Sequence, residues 1–211
     1  MKCTIVANGA IEDDDLARRE ILRGDYLVCA DGGARHLARL GILPDVVIGD
    51  LDSIGDAELR RLESEGVAFH RHPPRKDDTD TALAVELAIE QGASEITFLG
   101  TTGSRLDHTL SATFLLKRVL DAGIRGKVVD AANTIYLIAD TITLGGKPGD
   151  ILSILPVAGE ASGVWLEGLE YPLEDATIPF GSSIGISNRF TGTVASVRIR
   201  EGLLLVIRSR D

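Results

Sequence analysis

Two patterns of apolar and polar residues divide the chain near Gly126. Before it, short apolar runs alternate with stretches whose apolar residues recur at helical spacing. Cys3 to Ala7, Tyr26 to Ala30, Val46 to Ile48 and "EITFLG" are the apolar runs. Between and after them, "DDDLARREIL", "ARHLARL", "DAELRRLESEG", Thr79 to Gln91 and Asp107 to Ala122 carry the 3.6-residue period, with Leu83 and Leu87 one turn apart. Strands alternating with helices of about 10–15 residues predict a mainly parallel, Rossmann-like α/β sheet domain over residues 1–126.

After Gly126 the helical period disappears. "KVVDA", "TIYLIAD", "DILSILPV", "SGVWLEGL", "TVASVRIR" and "LLLVIRS" are short segments punctuated by Gly and Pro, and Val197 and Ile199 alternate with polar positions. This predicts an all-β domain, a small sandwich, over residues 127–211, with Trp165 in its core.

Acidic residues gather where the predicted strands end. Asp31 follows "YLVCA" and precedes Gly32-Gly33, and Asp50 and Asp52 follow "VVIG". Asp77, Asp78 and Asp80 stand in "RKDDTDTA" before a helix, and Asp107 stands in "GTTGSRLDHT" after a strand. Ligands of open α/β sheets bind outside the carboxyl ends of the strands, so parallel strands would gather these acids into one pocket. In an extended chain, residues two apart point the same way with ~6–7 Å between α-carbons. Asp50 and Asp52 would then clasp one hard cation of the Mg²⁺ type while Leu51 points back into the core.

The neighbouring residues fit a phosphorylated ligand. Asp77 and Thr79 are good helix caps, and the helix start that they mark, with Lys76 beside it, suits a phosphate. Gly100 and Gly103 allow a backbone to approach a ligand closely, and Arg105 suits phosphate charge. The absence of G-x-x-x-x-G-K-[ST] and of G-x-G-x-x-G argues against a P-loop enzyme and a plain dinucleotide binder. His70-x-His72 reads as a surface edge, and His108 as positional beside Asp107. In "ISNRFTGTVASV", Ser187 and Asn188 precede Phe190. Either a turn packs an aromatic beneath it, or polar groups and a ring receive a heteroaromatic ligand.

Composition narrows the partners. The net charge of the 211 residues is −10, which disfavours nucleic acid and anionic membranes. A bound divalent cation reverses that sign locally and keeps a phosphorylated small ligand in play. Cys3 and Cys29 sit in apolar runs without a disulfide framework, as expected of core thiols in a reducing cytoplasm. No apolar run approaches the ~20 residues of a membrane span, and "MKCTIVANGA" is too soon interrupted for a signal peptide.

Taken in order, "ADGGARHL", "PDVVIGDLDSI", "KDDTDTALAVELA", "GTTGSRLDHTLSA", "SNRFTG" and the tail "LLLVIRSRD" resemble the thiamine pyrophosphokinase family across nearly the whole chain. The resemblance implies an N-terminal α/β domain, a C-terminal β-sandwich and a homodimer with active sites at the subunit interface. It implies that Asp31, Asp50, Asp52, Asp80 and Asp107 surround Mg²⁺ and ATP, with Thr79 and Arg105 at the nucleotide; the expected metal ligands are Asp50, Asp52 and Asp80. Ser187 and the aromatic after "SN", here Phe190, would line the thiamine site; animal members tend to carry Trp or Tyr there. The expected reaction moves the diphosphate of ATP to thiamine and releases AMP, with Asp80 or Asp107 as candidate acceptor of the alcohol proton. Two alternatives stand beside it: a diphosphokinase for another hydroxymethyl heterocycle such as a pterin, and a non-catalytic thiamine or nucleotide sensor.

Overall fold

The structure is a computed structural model that describes residues 1–73 and 78–210. The chain forms two compact units, Met1–Ala131 and Ala132–Asp211. The calls on Lys76 and Asp77 lie outside the described residues.

The first unit contains the parallel strands β1 (Lys2–Val6), β2 (Tyr26–Ala30), β3 (Val46–Gly49), β4 (Ala68–Arg71), β5 (Glu95–Leu99) and β6 (Arg125–Val129). Their spatial order is β4-β3-β2-β1-β5-β6. The chain thus grows outward from β1 in one direction, then returns to place β5 on its other side. That reversal opens a crevice at the carboxyl ends of β1 and β5, where the loops after the strands diverge. The sequence reading gave Lys127 to Val129 to the second half. They instead pair with β5, because an apolar run flanked by Gly126 and Asp130 serves equally as a last parallel strand.

Alternation assigns the two sheet faces. Val6, Cys29, Val47 and Leu99 point to one face and form a cluster with Leu16 and Ile21 of α1 (Asp14–Leu22), Leu37 and Leu40 of α2 (Ala34–Leu40), and Leu62 of α3 (Asp56–Ser64). Their neighbours Ile5, Val28, Ile48 and Phe98 are buried on the other face, where α4 (Asp80–Glu90) lies against β1, β2 and β3 and α5 (Leu106–Asp121) against β6. Each such side chain contributes roughly 1.5–3 kcal/mol by leaving water. Cys3 and Cys29 are buried and free, as the sequence implied. Burial pushes the Cys3 thiol up to about 12, so it is inert packing rather than a nucleophile.

The second unit is antiparallel. β7 (Asn133–Ile138), β13 (Glu201–Ser209) and the first half of β9 (Ile151–Glu167) form one sheet, with β11 (Asn188–Arg189) on its edge. The second half of β9 pairs with β10 (Leu173–Ile178) and β12 (Val194–Arg198), and β12 pairs with β8 (Thr141–Gly145). Where the sequence pattern suggested two strands, one long β9 passes through Ala158 and Gly159, whose φ values of 63° and 117° bend it from sheet to sheet. Leu152, Ile154, Leu204 and Val206 face Val164, Leu166, Ala195 and Val197 across the core. Trp165, expected inside, falls between inward-facing Val164 and Leu166 and so points outward. The Arg198 guanidinium covers it at 4.6 Å from the ring centre.

Candidate active site

The acids at the ends of β2 and β3 converge, though by a route different from simple alternation. β3 ends at Gly49, and Leu51 takes φ +67°, a left-handed conformation. The Asp52 backbone N–H donates to Asp50 Oδ1 at 3.2 Å, which closes a small turn around Leu51. Leu51 is buried in the helix-covered core, so the expected anchor is present while the extended backbone is not. Asp31, also left-handed at φ +42°, begins the short 3-10 turn Asp31–Gly33. One carboxylate oxygen from each of Asp31, Asp50 and Asp52 lies within 4.8 Å of the others.

The electrostatics of this cluster favour a cation. Hydrogen bonding to Asp50 and the repulsion of its charge raise the pKa of Asp52. Asp31 Oδ1 is buried without a hydrogen-bond partner among the described residues. An anionic oxygen in that condition is costly unless something positive approaches it.

Asp80 opens α4, where Thr79 Oγ1 accepts from the Ala82 backbone N–H at 3.2 Å. A Cβ on Gly49 would stand 3.0 Å from Asp31 Cβ and 3.1 Å from Asp80 Oδ1, so Asp31 and Asp80 flank Gly49 from two elements. The metal set read from the sequence was Asp50, Asp52 and Asp80. The tightest set among the described residues has Asp31 in Asp80's place, because the left-handed turn after β2 swings Asp31 over the end of β3. Asp78 bonds Arg118 at 2.9 Å, an ion-pair role that composition alone did not reveal.

Beside the cluster lies a cleft of about 520 Å³ at the β1–β5 crevice. Its walls include Asp31, Arg35, Thr79, Asp80, Thr101 and Arg105. Gly100 and Gly103 also line it, but Gly100 serves a different close approach from the one expected. At φ +64°, its Cβ would collide with the Ala7 carbonyl oxygen, so it accommodates the neighbouring backbone. There the Gly9 N–H donates to Gly100 O at 2.5 Å and the Ala10 N–H to Thr102 O at 2.7 Å, which extends the β1–β5 pairing into the cleft floor. Arg105 is engaged by Asp107 through Nε at 3.3 Å and Nη2 at 2.6 Å. That pairing holds the Asp107 carboxyl below its usual range, and Asp107 itself is exposed and off the cleft wall. Asn8, Gly9, Arg35 and Thr101 were missed in the sequence. The signal was present for the first two, since "ANG" also follows a strand.

In the second unit, Ser187 is exposed with φ +56°, and its backbone N–H donates to Ser153 Oγ at 3.0 Å. Asn188 and Phe190 do not fit the expected ligand-facing role. Asn188 is 1% exposed, and its amide bonds the Tyr171 backbone on both sides, at 3.0 and 2.7 Å. Phe190 is 2% exposed and packs in the sandwich core, with its ring against Gly146. The sequence left a packed aromatic and a stacking one open, and the structure takes the first.

Comparison with known proteins agrees with this arrangement. The model of the thiamin pyrophosphokinase catalytic domain matches residues 17–128, and that of the thiamin pyrophosphokinase vitamin B1 binding domain matches residues 140–204. The chain belongs to the thiamine pyrophosphokinase family. It is 31% identical to the thiamine pyrophosphokinase of Bacillus subtilis over 191 residues, covering 86% of each chain. A crystal structure of thiamine pyrophosphokinase from Bacillus subtilis superposes with a TM-score of 0.88 at 29% identity over 100% of both chains. Yeast thiamin pyrophosphokinase, at 17% identity, shares the fold with a TM-score of 0.81 over 99% of this chain and 86% of its own. The catalytic-domain match includes Asp31, Asp50, Asp52, Asp80, Arg105 and Asp107. The β1 loop that floors the cleft falls outside both family matches.

Proposed function

We propose that this family member transfers the diphosphate of ATP to the hydroxyl of thiamine, giving thiamine diphosphate and AMP. The observation that carries the reading is the three-carboxylate cluster beside a cleft at the sheet's switch point. The donor set fits Mg²⁺: all three ligands are hard carboxylate oxygens, and Asp31 Oδ1 has no hydrogen-bond partner among the described residues. Asp31, Asp50 and Asp52 would hold the ion, with Asp80 adjoining. When bound, Mg²⁺ supplies charge neutralisation for the phosphates and for the departing oxygen of AMP.

The remaining work falls to the chain itself. Thr79 caps α4 and lines the cleft, where its helix presents backbone N–H groups toward a phosphate. Asp80 lies on the cleft wall, whereas Asp107 is tied to Arg105 and faces solvent. Asp80 is therefore the better-placed acceptor for the thiamine hydroxyl proton as that oxygen attacks the β-phosphorus. Arg105 must exchange its Asp107 partner for a phosphate to contribute charge. Ser187 remains the thiamine-side candidate from the second unit.

The reading includes a cytoplasmic homodimer without nucleic-acid or membrane partners. Leu106, Leu110 and Phe114 support the dimer, since they leave an apolar stripe exposed along α5. Incubation with ATP, Mg²⁺ and thiamine, with direct detection of thiamine diphosphate and AMP, tests the reaction. ADP in place of AMP would exclude attack at the β-phosphorus. AMP release with a hydroxymethyl pterin but not with thiamine would replace the substrate. Sedimentation of the pure protein as a monomer would remove the dimer.

A further inference from the structure

We propose that Arg35 supplies the standing positive charge that seats the nucleotide's phosphates in the cleft. The inference rests on the ATP reading above and names a residue that neither the strand-end acids nor the Arg105 segment suggested.

Three observations support it. Arg35 lies in the first turn of α2, directly after the Asp31–Gly33 turn, and lines the same cleft as Asp31, Asp80 and Arg105. Its guanidinium is also fixed in place. Nη2 donates to Asn8 O at 2.7 Å and to Gly9 O at 3.3 Å, and these carbonyls belong to the loop bonded to the β5 end. Its charge, moreover, is not taken up by a carboxylate contact among the described residues: Arg35 bonds backbone carbonyls and the neighbouring His36 ring. His36, buried and beside Arg35 and Arg39, is pushed toward its neutral form and adds no rival charge. Arg105 offers the contrast, because its charge is already taken by Asp107 at 2.6 Å.

A triphosphate entering this cleft meets acids at the ends of β2 and β3 and needs cationic donors on the opposite side. Arg35 keeps Nη1 unbonded among the described residues, so it can donate to a phosphate without breaking the bonds that position it. Pre-positioning of that kind spares the side-chain ordering cost at binding.

The test compares wild type, Arg35→Gln and Arg35→Lys by calorimetric binding of MgATP, magnesium tripolyphosphate and adenosine, alongside KM for ATP and for thiamine. Arg35→Gln should weaken MgATP and tripolyphosphate about tenfold or more, the scale of one charge-assisted hydrogen bond. Adenosine binding and the thiamine KM should hold, and Arg35→Lys should recover part of the loss. Equal weakening of adenosine and ATP by both variants would show that Arg35 only supports the loop, and overturns the proposal. Unchanged MgATP binding by Arg35→Gln overturns it as well, with the ATP reading intact. Wild-type protein that binds no MgATP overturns both.

Discussion

Replacing Gly49 with alanine separates the geometry of the carboxylate site from the stability of the fold. Gly49 has φ +146°, outside the range that side-chain-bearing residues favour, and strain there costs about 1–3 kcal/mol. The new methyl would lie 3.0 Å from Asp31 Cβ, against an ordinary carbon–carbon contact of ~3.5 Å, and 3.1 Å from Asp80 Oδ1. Asp31 and Asp80 must therefore part by about 0.5 Å. If a 1 Å misplacement costs roughly 100-fold in rate, half of it costs about tenfold. The control is Gly41→Ala at the end of α2. It carries milder left-handed strain at φ +64°, in the small αL region that side-chain-bearing residues can enter, and has nothing within 4 Å of the added carbon. Both variants should melt several degrees lower, at about 2–4 °C per kcal/mol for a chain of this size. Only Gly49→Ala should lose AMP release by about tenfold or more, and only it should lose part of the Mg²⁺-induced rise in Tm. Gly49→Ala activity within twofold of wild type, or an equal loss in Gly41→Ala, would refute the wedge argument.

Three further outcomes follow from the same geometry. Asp50→Asn should cut Mg²⁺-dependent AMP release by about 10²–10³ while far-UV circular dichroism stays native; near-normal turnover at saturating Mg²⁺ would remove Asp50 from the metal wall. Because Asp50 raises the pKa of Asp52, the folded chain holds that proton more tightly than the unfolded chain. The like-charge penalty is thus present at neutral pH and relieved as pH falls through the raised pKa. Mg²⁺ should stabilise the protein most at neutral pH and lose effect on acidification, a trend that Asp52→Asn should flatten in thermal melts with and without the ion. Phe190→Ala should destabilise the second unit by about 3–5 kcal/mol, as loss of a core aromatic does, and Phe190→Leu should leave the thiamine KM unchanged; a large KM rise in a stably folded Phe190→Leu would restore the stacking role.

The sequence by itself determined the alternation of elements and the chemistry available to them. A period of 2 or 3.6 is a local property, so β1 to β3, β5, α1 and α5 were legible from their own residues, as was the change to antiparallel strands. The acids at strand ends were legible because parallel strands send all their carboxyl ends to one edge. Leu51 was legible as an anchor because its neighbours are charged and it is not. Tertiary structure decided which of these groups meet. The left-handed turns at Asp31 and Leu51 brought Asp31 to Asp50 and Asp52, and no periodicity encodes such a turn at a residue other than glycine. β6 needed β5 beside it before it could be told from a sandwich strand. Phe190 packs inward and Trp165 faces outward because the register of β9 and its partners, rather than hydrophobicity, sets which side chains face inward. Arg35 remained hidden for the same reason: an arginine on a short helix acquires meaning only when the loop after β1, distant in sequence, supplies the carbonyls that hold it over the cleft.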